Sequence, residues 1–385
     1  MTGADLPHRI LLGPGPSNCH PSVLQAMSRP MIGHLDPEFL KIMDETQALL
    51  RQVMKTSNRL TLPVSGTGSA GMETCLCNLV EPGDRVLVCI NGVFGTRMAD
   101  IVERLRGELH TVQAEWGTAF EPEAVARAVS EARPKLVAIV HAETSTGVLQ
   151  PIEEISRIVH EAGALLLVDA VTSLGGAPVE TDKWQVDALY SGTQKCLSCP
   201  PGLAPVTFGE RAVAALDARK SRVTSWYLDM AMVRKYWGSE RTYHHTAPIS
   251  MIFALNQALK LVVAEGLEAR FARHRLNQRA LVAGIEAMGL SMLVKEAYRA
   301  PMLNAVRIPE GADDRAVRAA LLQEHDIEIG GGLGPLAGKI WRVGLMGESS
   351  ARENVVALLS ALEKILKSQG VRVRTGAAKA AEAVY

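Results

Sequence analysis

Three short stretches of this chain carry side chains whose types and places could do chemistry together. The first is Ser65-Gly66-Thr67-Gly68-Ser69-Ala70-Gly71, between an apolar LTLPV stretch and the helical METCLCNLV. Its glycines allow a tight turn, the helix behind it offers free N–H groups at its positive end, and Thr67 and Ser69 add hydroxyls. Such a loop can cradle a phosphate. A plain turn of small residues between strand and helix fits the same letters. The loop is not a P-loop, which ends in Gly-Lys-Ser/Thr, and it lacks the full G-x-G-x-x-G spacing. The second stretch is Asp169, which closes the apolar run ALLLVDA. A carboxylate ending a buried parallel strand lies on the edge where α/β proteins bind ligands, and it needs a cation facing it. The plainer alternative is a helix cap. The third is Ser191-Gly192-Thr193-Gln194-Lys195-Cys196-Leu197, with Pro200-Pro201-Gly202 behind it. Lys195 follows another strand and has no acidic neighbour nearby in sequence, so it can lose its proton more easily than a solvated lysine. Taken alone it would be surface decoration.

Pyridoxal 5'-phosphate needs three things: an anion cradle, a lysine amine for its aldehyde, and a carboxylate to keep its ring nitrogen protonated. Each stretch is a weak sign by itself. Together, at three strand ends, they point to that cofactor.

The elements that must position these residues are legible as alternation. RVLVCI (85–90), KLVAIVHA (135–142), ALLLVDA (164–170) and VDALYSG (186–192) are short, apolar and bounded by Gly, Pro or charge, as buried strands are. Helix-like stretches such as EPEAVARAVSEA (121–132) and PIEEISRIVHEAG (151–163) lie between several of them. The pattern predicts an α/β fold with a mostly parallel sheet covered by helices. Long helices are expected around 250–265 and 267–289, broken at Gly266. Short strands (MLNAVRI, IEIGG, KIWRVGL) then mix with helices near 313–324 and 350–368, which suggests a smaller α+β domain. The expected division is an N-terminal arm (1–20), a large domain (21–265), a small domain (266–368) and a mobile tail (369–385), whose apolar periodicity is slight.

Composition sets outer bounds. The 41 basic and 41 acidic residues cancel, so no overall field points to nucleic acid or an anionic membrane. No apolar run approaches the roughly 18 residues of a membrane span. The six cysteines in a chain of this length look like a reduced set, and a cytoplasmic protein is the expectation.

The residues resemble the class V aminotransferases of the fold-type I pyridoxal-phosphate family, in particular the alanine–glyoxylate and serine–glyoxylate group. The resemblance runs from LLGPGPSN at 11–18 to RENVVALLSALEKIL at 352–366, and the blocks that carry it are GPGPSN, SGTGSA, VEPGD, NGVFG, ETSTGVLQP, LLLVDAVTSLGG, LYSGTQKCL, PPG, TYHHT and GKIWRVGLMG. The resemblance implies a large domain with a seven-stranded sheet and a set of roles. Lys195 would carry the cofactor and shuttle the proton, and Asp169 would pair with the ring nitrogen. Phe94 would stack on the ring, where similar proteins often have tryptophan, and Val171 would pack on the opposite face. Thr144 would contact the ring hydroxyl. Thr67, Gly68, Ser69 and Gln194 match phosphate-binding positions, although some relatives carry histidine in place of Ser69. Arg342 would clamp a substrate carboxylate, which its planar fork suits. Gly15 would bring backbone close to the substrate, unless it serves only as a turn. Tyr243 and Thr246 match residues that reach the neighbouring subunit's cofactor, so a homodimer is implied.

The implied reaction moves the amino group of alanine or serine to glyoxylate in two half-reactions. Tyr243 favours that donor class over ureidoglycine, whose enzymes tend to have asparagine there. Aspartate–glyoxylate and pyridoxamine–pyruvate exchange are the related alternatives. A cysteine desulfurase would need a nucleophilic cysteine late in the chain, and the last is Cys199. A non-catalytic binding protein would have no use for Lys195, Asp169 and Arg342 together. No metal set is expected: the His244-His245 pair lacks suitably spaced partners, and the C-x-x-C of Cys196 and Cys199 lacks a second pair.

Overall fold

The computed structural model describes residues 6–385. The first five residues of the expected N-terminal arm therefore lie outside the described residues. A seven-stranded sheet forms the centre of the molecule. Its strands are β1 (Leu60–Ser65), β2 (Arg85–Ile90), β3 (Glu108–Gln113), β4 (Leu136–Val140), β5 (Leu165–Asp169), β6 (Ala188–Tyr190) and β7 (Leu203–Phe208), in the spatial order β1-β7-β6-β5-β4-β2-β3. Strand β7 runs antiparallel to both its neighbours, and every other pairing is parallel. The sheet is the expected mostly parallel one.

Burial explains the composition of the central strands. All five residues of β4 (LVAIV) and of β5 (LLLVD) are buried, because helices cover both faces and no alternation is needed. The covering helices instead show one apolar face. Pro122–Ala132 has proline in its first turn, buries Val125, Val129 and Ala132, and stops at Arg133, whose φ of 45° lies in the left-handed region. Helices Ile249–Glu265 and Leu267–Ala287 meet at Gly266 with a bend of 84°. Among the described residues no single helix is long and apolar enough to cross a membrane.

A second apolar core gathers Leu12, Leu281, Ile285, Val306, Trp341, Leu358 and Leu362 around a three-stranded antiparallel sheet of Leu303–Arg307, Ile340–Gly344 and Gly330–Gly331. Ile10–Leu11 of the N-terminal segment pairs in parallel with Ile327–Glu328, so the chain's start is stitched to this later part.

The last residues correct the expectation of a mobile tail. Ala377–Glu382 forms a helix whose Ala377 and Ala381 are fully buried in the second core. Tyr385 donates its hydroxyl to Asn277 Oδ1 at 2.7 Å. Glu363 Oε2 accepts from the N–H groups of Gly376 and Ala377 at 2.9 and 3.0 Å. The reason is close packing by small residues: the Ala377 carbonyl comes so near Gly284 that a Cβ there would stand 2.9 Å from it. A face built from alanine gives little hydropathy signal, yet it lets two backbones approach.

Candidate active site

The C-terminal ends of β1, β2, β4, β5 and β6 lie along one edge of the sheet, since all five strands run the same way. Each is followed by a segment carrying a site candidate: 66–69, 91–94, 141–144, 170–172 and 191–195.

Lys195 sits in a short loop held at both sides. Thr193 Oγ1 donates to the Pro200 carbonyl at 2.7 Å, and Cys199 N–H donates to the Thr193 carbonyl at 3.1 Å. From the N-terminal segment, Ser17 N–H donates to the Gln194 carbonyl at 2.9 Å and Ser17 Oγ to the Lys195 carbonyl at 2.8 Å. The side chain is only 7% exposed, and its Nζ donates to the Pro14 carbonyl. Burial, and then the charge of Arg342, push the ammonium down to about 8, while Cys196 and Asp169 oppose the shift. An amine in that range exchanges its proton readily near neutrality.

Asp169, at the end of β5, is 2% exposed. Its Oδ1 accepts from Val171 N–H at 2.8 Å and its Oδ2 from the Tyr190 hydroxyl at 2.7 Å. Burial nevertheless raises its carboxyl to about 7, because two hydrogen bonds do not replace the lost water. A carboxylate so placed gains most from a cation brought beside it. Tyr190 escaped the reading of the sequence. It lies directly across the β5–β6 pairing from Asp169, a relation that only the register reveals.

The loop after β1 enters helix Gly68–Leu79 at Thr67, and no side chain caps that helix. Its first N–H groups are therefore offered to a ligand. Beside it, Gln194 Oε1 is buried without a hydrogen-bond partner, and a Cβ on the adjoining Gly192 would stand 2.8 Å from it. Val171 lies close against Gly68. Ser69 Oγ accepts from Arg97 Nη1 at 3.2 Å, and the Arg97 guanidinium lies 4.9 Å from the centre of the Phe94 ring. Unspent N–H groups, an unpartnered buried amide and a nearby guanidinium suit a phosphate.

Arg342, on strand Ile340–Gly344, reaches the same edge from the second core. It is 7% exposed, donates from Nε to the Gly331 carbonyl at 2.7 Å and from Nη1 to the Thr144 carbonyl at 3.2 Å. Among the described residues no carboxylate lies within ion-pair distance of it. Thr144 itself is buried, with its hydroxyl against that of Thr172.

Tyr243 and Thr246 stand apart from this set. Both are exposed, and Tyr243 packs on His34 with ring centres 5.3 Å apart. His244 stacks on Trp226 at 4.4 Å and shares a 2.8 Å contact with His245, so the two histidines work as packing groups. His245 also approaches Ser65 Oγ at 3.2 Å. Cys196 is fully buried, its thiol pushed up to about 12 by burial, and Cys199 is shifted in the same direction for the same reason.

Comparison with known proteins identifies the family. The model of the aminotransferase class-V family matches residues 11–344. An (S)-ureidoglycine–glyoxylate transaminase of Bacillus subtilis is 42% identical, over 98% of this chain and 96% of that one. The crystal structure of an alanine–glyoxylate aminotransferase from Nostoc sp. superposes with a TM-score of 0.94 at 52% identity, covering 95% of this chain and 97% of the other. That of the ureidoglycine–glyoxylate aminotransferase from Bacillus subtilis gives a TM-score of 0.98 at 43% identity, covering 100% and 99%. The chain belongs to the class-V aminotransferases, and its cofactor is pyridoxal 5'-phosphate.

Proposed function

We propose that the protein transfers the amino group of a small amino acid, alanine or serine, to glyoxylate, with Lys195 moving the proton. One observation carries the reading: the same sheet edge holds a buried lysine amine and a buried guanidinium that has no carboxylate at ion-pair distance among the described residues. A substrate carboxylate held by Arg342 would place its Cα near Lys195. When bound, pyridoxal phosphate supplies the aldehyde carbon to which the amino group attaches and a ring that takes up the electrons of Cα–H cleavage.

The chain's own residues would divide the remaining work. Thr67, Gly68, Ser69 and Gln194 would hold the phosphate, and Phe94 and Val171 would bracket the ring. Asp169 would keep the ring nitrogen protonated, and Thr144 would meet the ring hydroxyl. Lys195 Nζ would take the proton from the substrate Cα and deliver it to the former aldehyde carbon of the cofactor, across the shared nitrogen. Arg342, fixed by two backbone carbonyls, would orient the substrate through its carboxylate. Pro14 and Gly15 lie over the lysine, which favours a donor with a short side chain.

The named relatives support glyoxylate as acceptor, since proteins called alanine–glyoxylate and ureidoglycine–glyoxylate aminotransferases both stand near this chain. The Bacillus relative favours ureidoglycine as a second reading, and Tyr243 speaks for alanine or serine. The test is a panel of alanine, serine, aspartate, ureidoglycine and pyridoxamine against glyoxylate and pyruvate, with the new amino product quantified. Alanine or serine with glyoxylate should give the highest kcat/KM, and a clear preference for ureidoglycine would reverse the assignment. The proposal includes a homodimer in which Tyr243 and Thr246 reach the neighbouring site. The exposure of Tyr243, and of Trp226 and Tyr227 beside it, supports this. Sedimentation equilibrium showing a monomer would contradict it.

A further inference from the structure

Helix Val93–Arg104 begins without a cap of its own, because the residue at its N-cap is Gly92. Its first N–H groups are nonetheless satisfied, by a segment about fifty positions later in the chain. Val93 N–H donates to Ser145 Oγ at 3.0 Å, and Phe94 N–H donates to Glu143 Oε2 at 3.2 Å. Glu143 Oε1 accepts in turn from Ser145 N–H at 3.0 Å and Ser145 Oγ at 2.6 Å. Phe94 and Gly95 hold the two helical positions that an N-cap side chain normally serves. The Glu143 carboxyl fills the space of that missing side chain: a Cβ on Gly92 would stand 2.4 Å from its Cδ.

Glu143 is 1% exposed. Burying a carboxylate this deeply is costly, and burial raises its pKa despite the hydrogen bonds from Ser145 and Phe94. A cap alone does not explain the expense, because a hydroxyl on residue 92 would do that work with a neutral group. What the remote carboxylate adds is a tie. It binds the backbone of Phe94, and the next residue, Thr144, has its carbonyl on Arg342 Nη1.

We propose that Glu143 is a positioning residue, which with Ser145 locks the helix start carrying Phe94 to the strand end carrying Thr144 and the Arg342 anchor. The wall beside the cofactor ring and the seat of the substrate carboxylate then move as one body. This rests on the reading of Phe94 and Thr144 as residues that line the ring.

The test uses apoprotein titrated with pyridoxal phosphate, followed by visible absorbance, and the KM for glyoxylate of the reconstituted enzyme. Glu143→Gln preserves shape but places an amide opposite donors. It should weaken cofactor affinity and raise that KM by roughly tenfold each. Glu143→Ala should also lower the thermal midpoint. Adding Gly92→Ser to it supplies a local cap once the Ser145 hydroxyl, 2.5 Å from where the new Cβ would stand, turns aside, and this double variant should regain much of the midpoint but neither constant. Phe94→Ala serves as the control for the ring wall. Unchanged constants in Glu143→Gln, alongside weakened binding in Phe94→Ala, would overturn the proposal. So would full recovery of both constants in the double variant, which would reduce Glu143 to a cap. If Phe94→Ala binds the cofactor normally, the ring-wall reading fails and takes this inference with it. Should the truncated variants not fold, Glu143→Gln decides alone.

Discussion

Gly15 lies so close over Lys195 that a Cβ built on it would stand 2.6 Å from both Cδ and Nζ. The backbone there has φ +99°, a region that side-chain-bearing residues rarely adopt. The N-terminal segment therefore forms the roof of the lysine's pocket, anchored by Ser17 to the very loop that carries the lysine. Gly15→Ala should displace the Lys195 side chain and reduce kcat roughly tenfold or more, since strain of about 1–3 kcal/mol falls on the reacting group. Steady-state kinetics with a melting curve would check this, and wild-type kcat with an unchanged melt would refute the contact.

Arg342 offers a cleaner split between binding and chemistry. Arg342→Ala should raise KM for carboxylate substrates by roughly tenfold to a hundredfold, as expected for losing a charged hydrogen bond of about 1.5–3 kcal/mol. Arg342→Lys should recover only part of it, because an ammonium cannot hold the Gly331 and Thr144 carbonyls and a carboxylate in one plane. An unchanged KM in the alanine variant would remove Arg342 from the site.

Asp169 makes a prediction about pH. In the apoprotein its folded pKa, raised by burial to about 7, lies above the 3.8 ordinary for an aspartate side chain. The folded form keeps a proton that the unfolded chain loses between those values. The stabilisation from holding it is complete below pH ~4 and is lost as pH rises toward 7. Asp169→Asn removes that dependence. The melting temperature of the Asn variant relative to wild type, both as apoproteins, should therefore rise between pH 5 and pH 8. A flat difference across that range would show that the carboxyl is ionised throughout.

The packed C-terminal helix can be tested by one charge. Ala381→Glu buries a carboxylate against the second core, where Ala381 is fully enclosed, and should lower the thermal midpoint by several degrees. An unchanged midpoint would mean that the helix is detached in solution.

Much of this architecture is written locally. The runs that became β2, β4, β5 and β6 are apolar and bounded by turn residues, so periodicity and length suffice to find them. Two sheet strands were not legible in that way. β3 is one edge of the sheet, and its ELHTVQ mixes half-buried and exposed residues like a solvated loop. β7 contains Pro205, which argues against an interior strand, yet it lies between β1 and β6 with Pro205 opposite Pro63. The site divides along the same line. Lys195, Asp169 and the 65–71 loop announce themselves because strand ends and glycine-rich turns have sequence signatures. Tyr190 and Glu143 do not, because their meaning lies in partners that only folding brings near: Asp169 across a strand pair, and the Phe94 N–H.

The assignment of the amine that binds the cofactor is the most direct point of test. The holoenzyme, reduced with borohydride and digested, should carry the pyridoxyl group on the peptide containing Lys195, and Lys195→Ala prepared in parallel should carry none and show no transamination. A pyridoxyl group found on a different lysine, or turnover retained by Lys195→Ala, would contradict it.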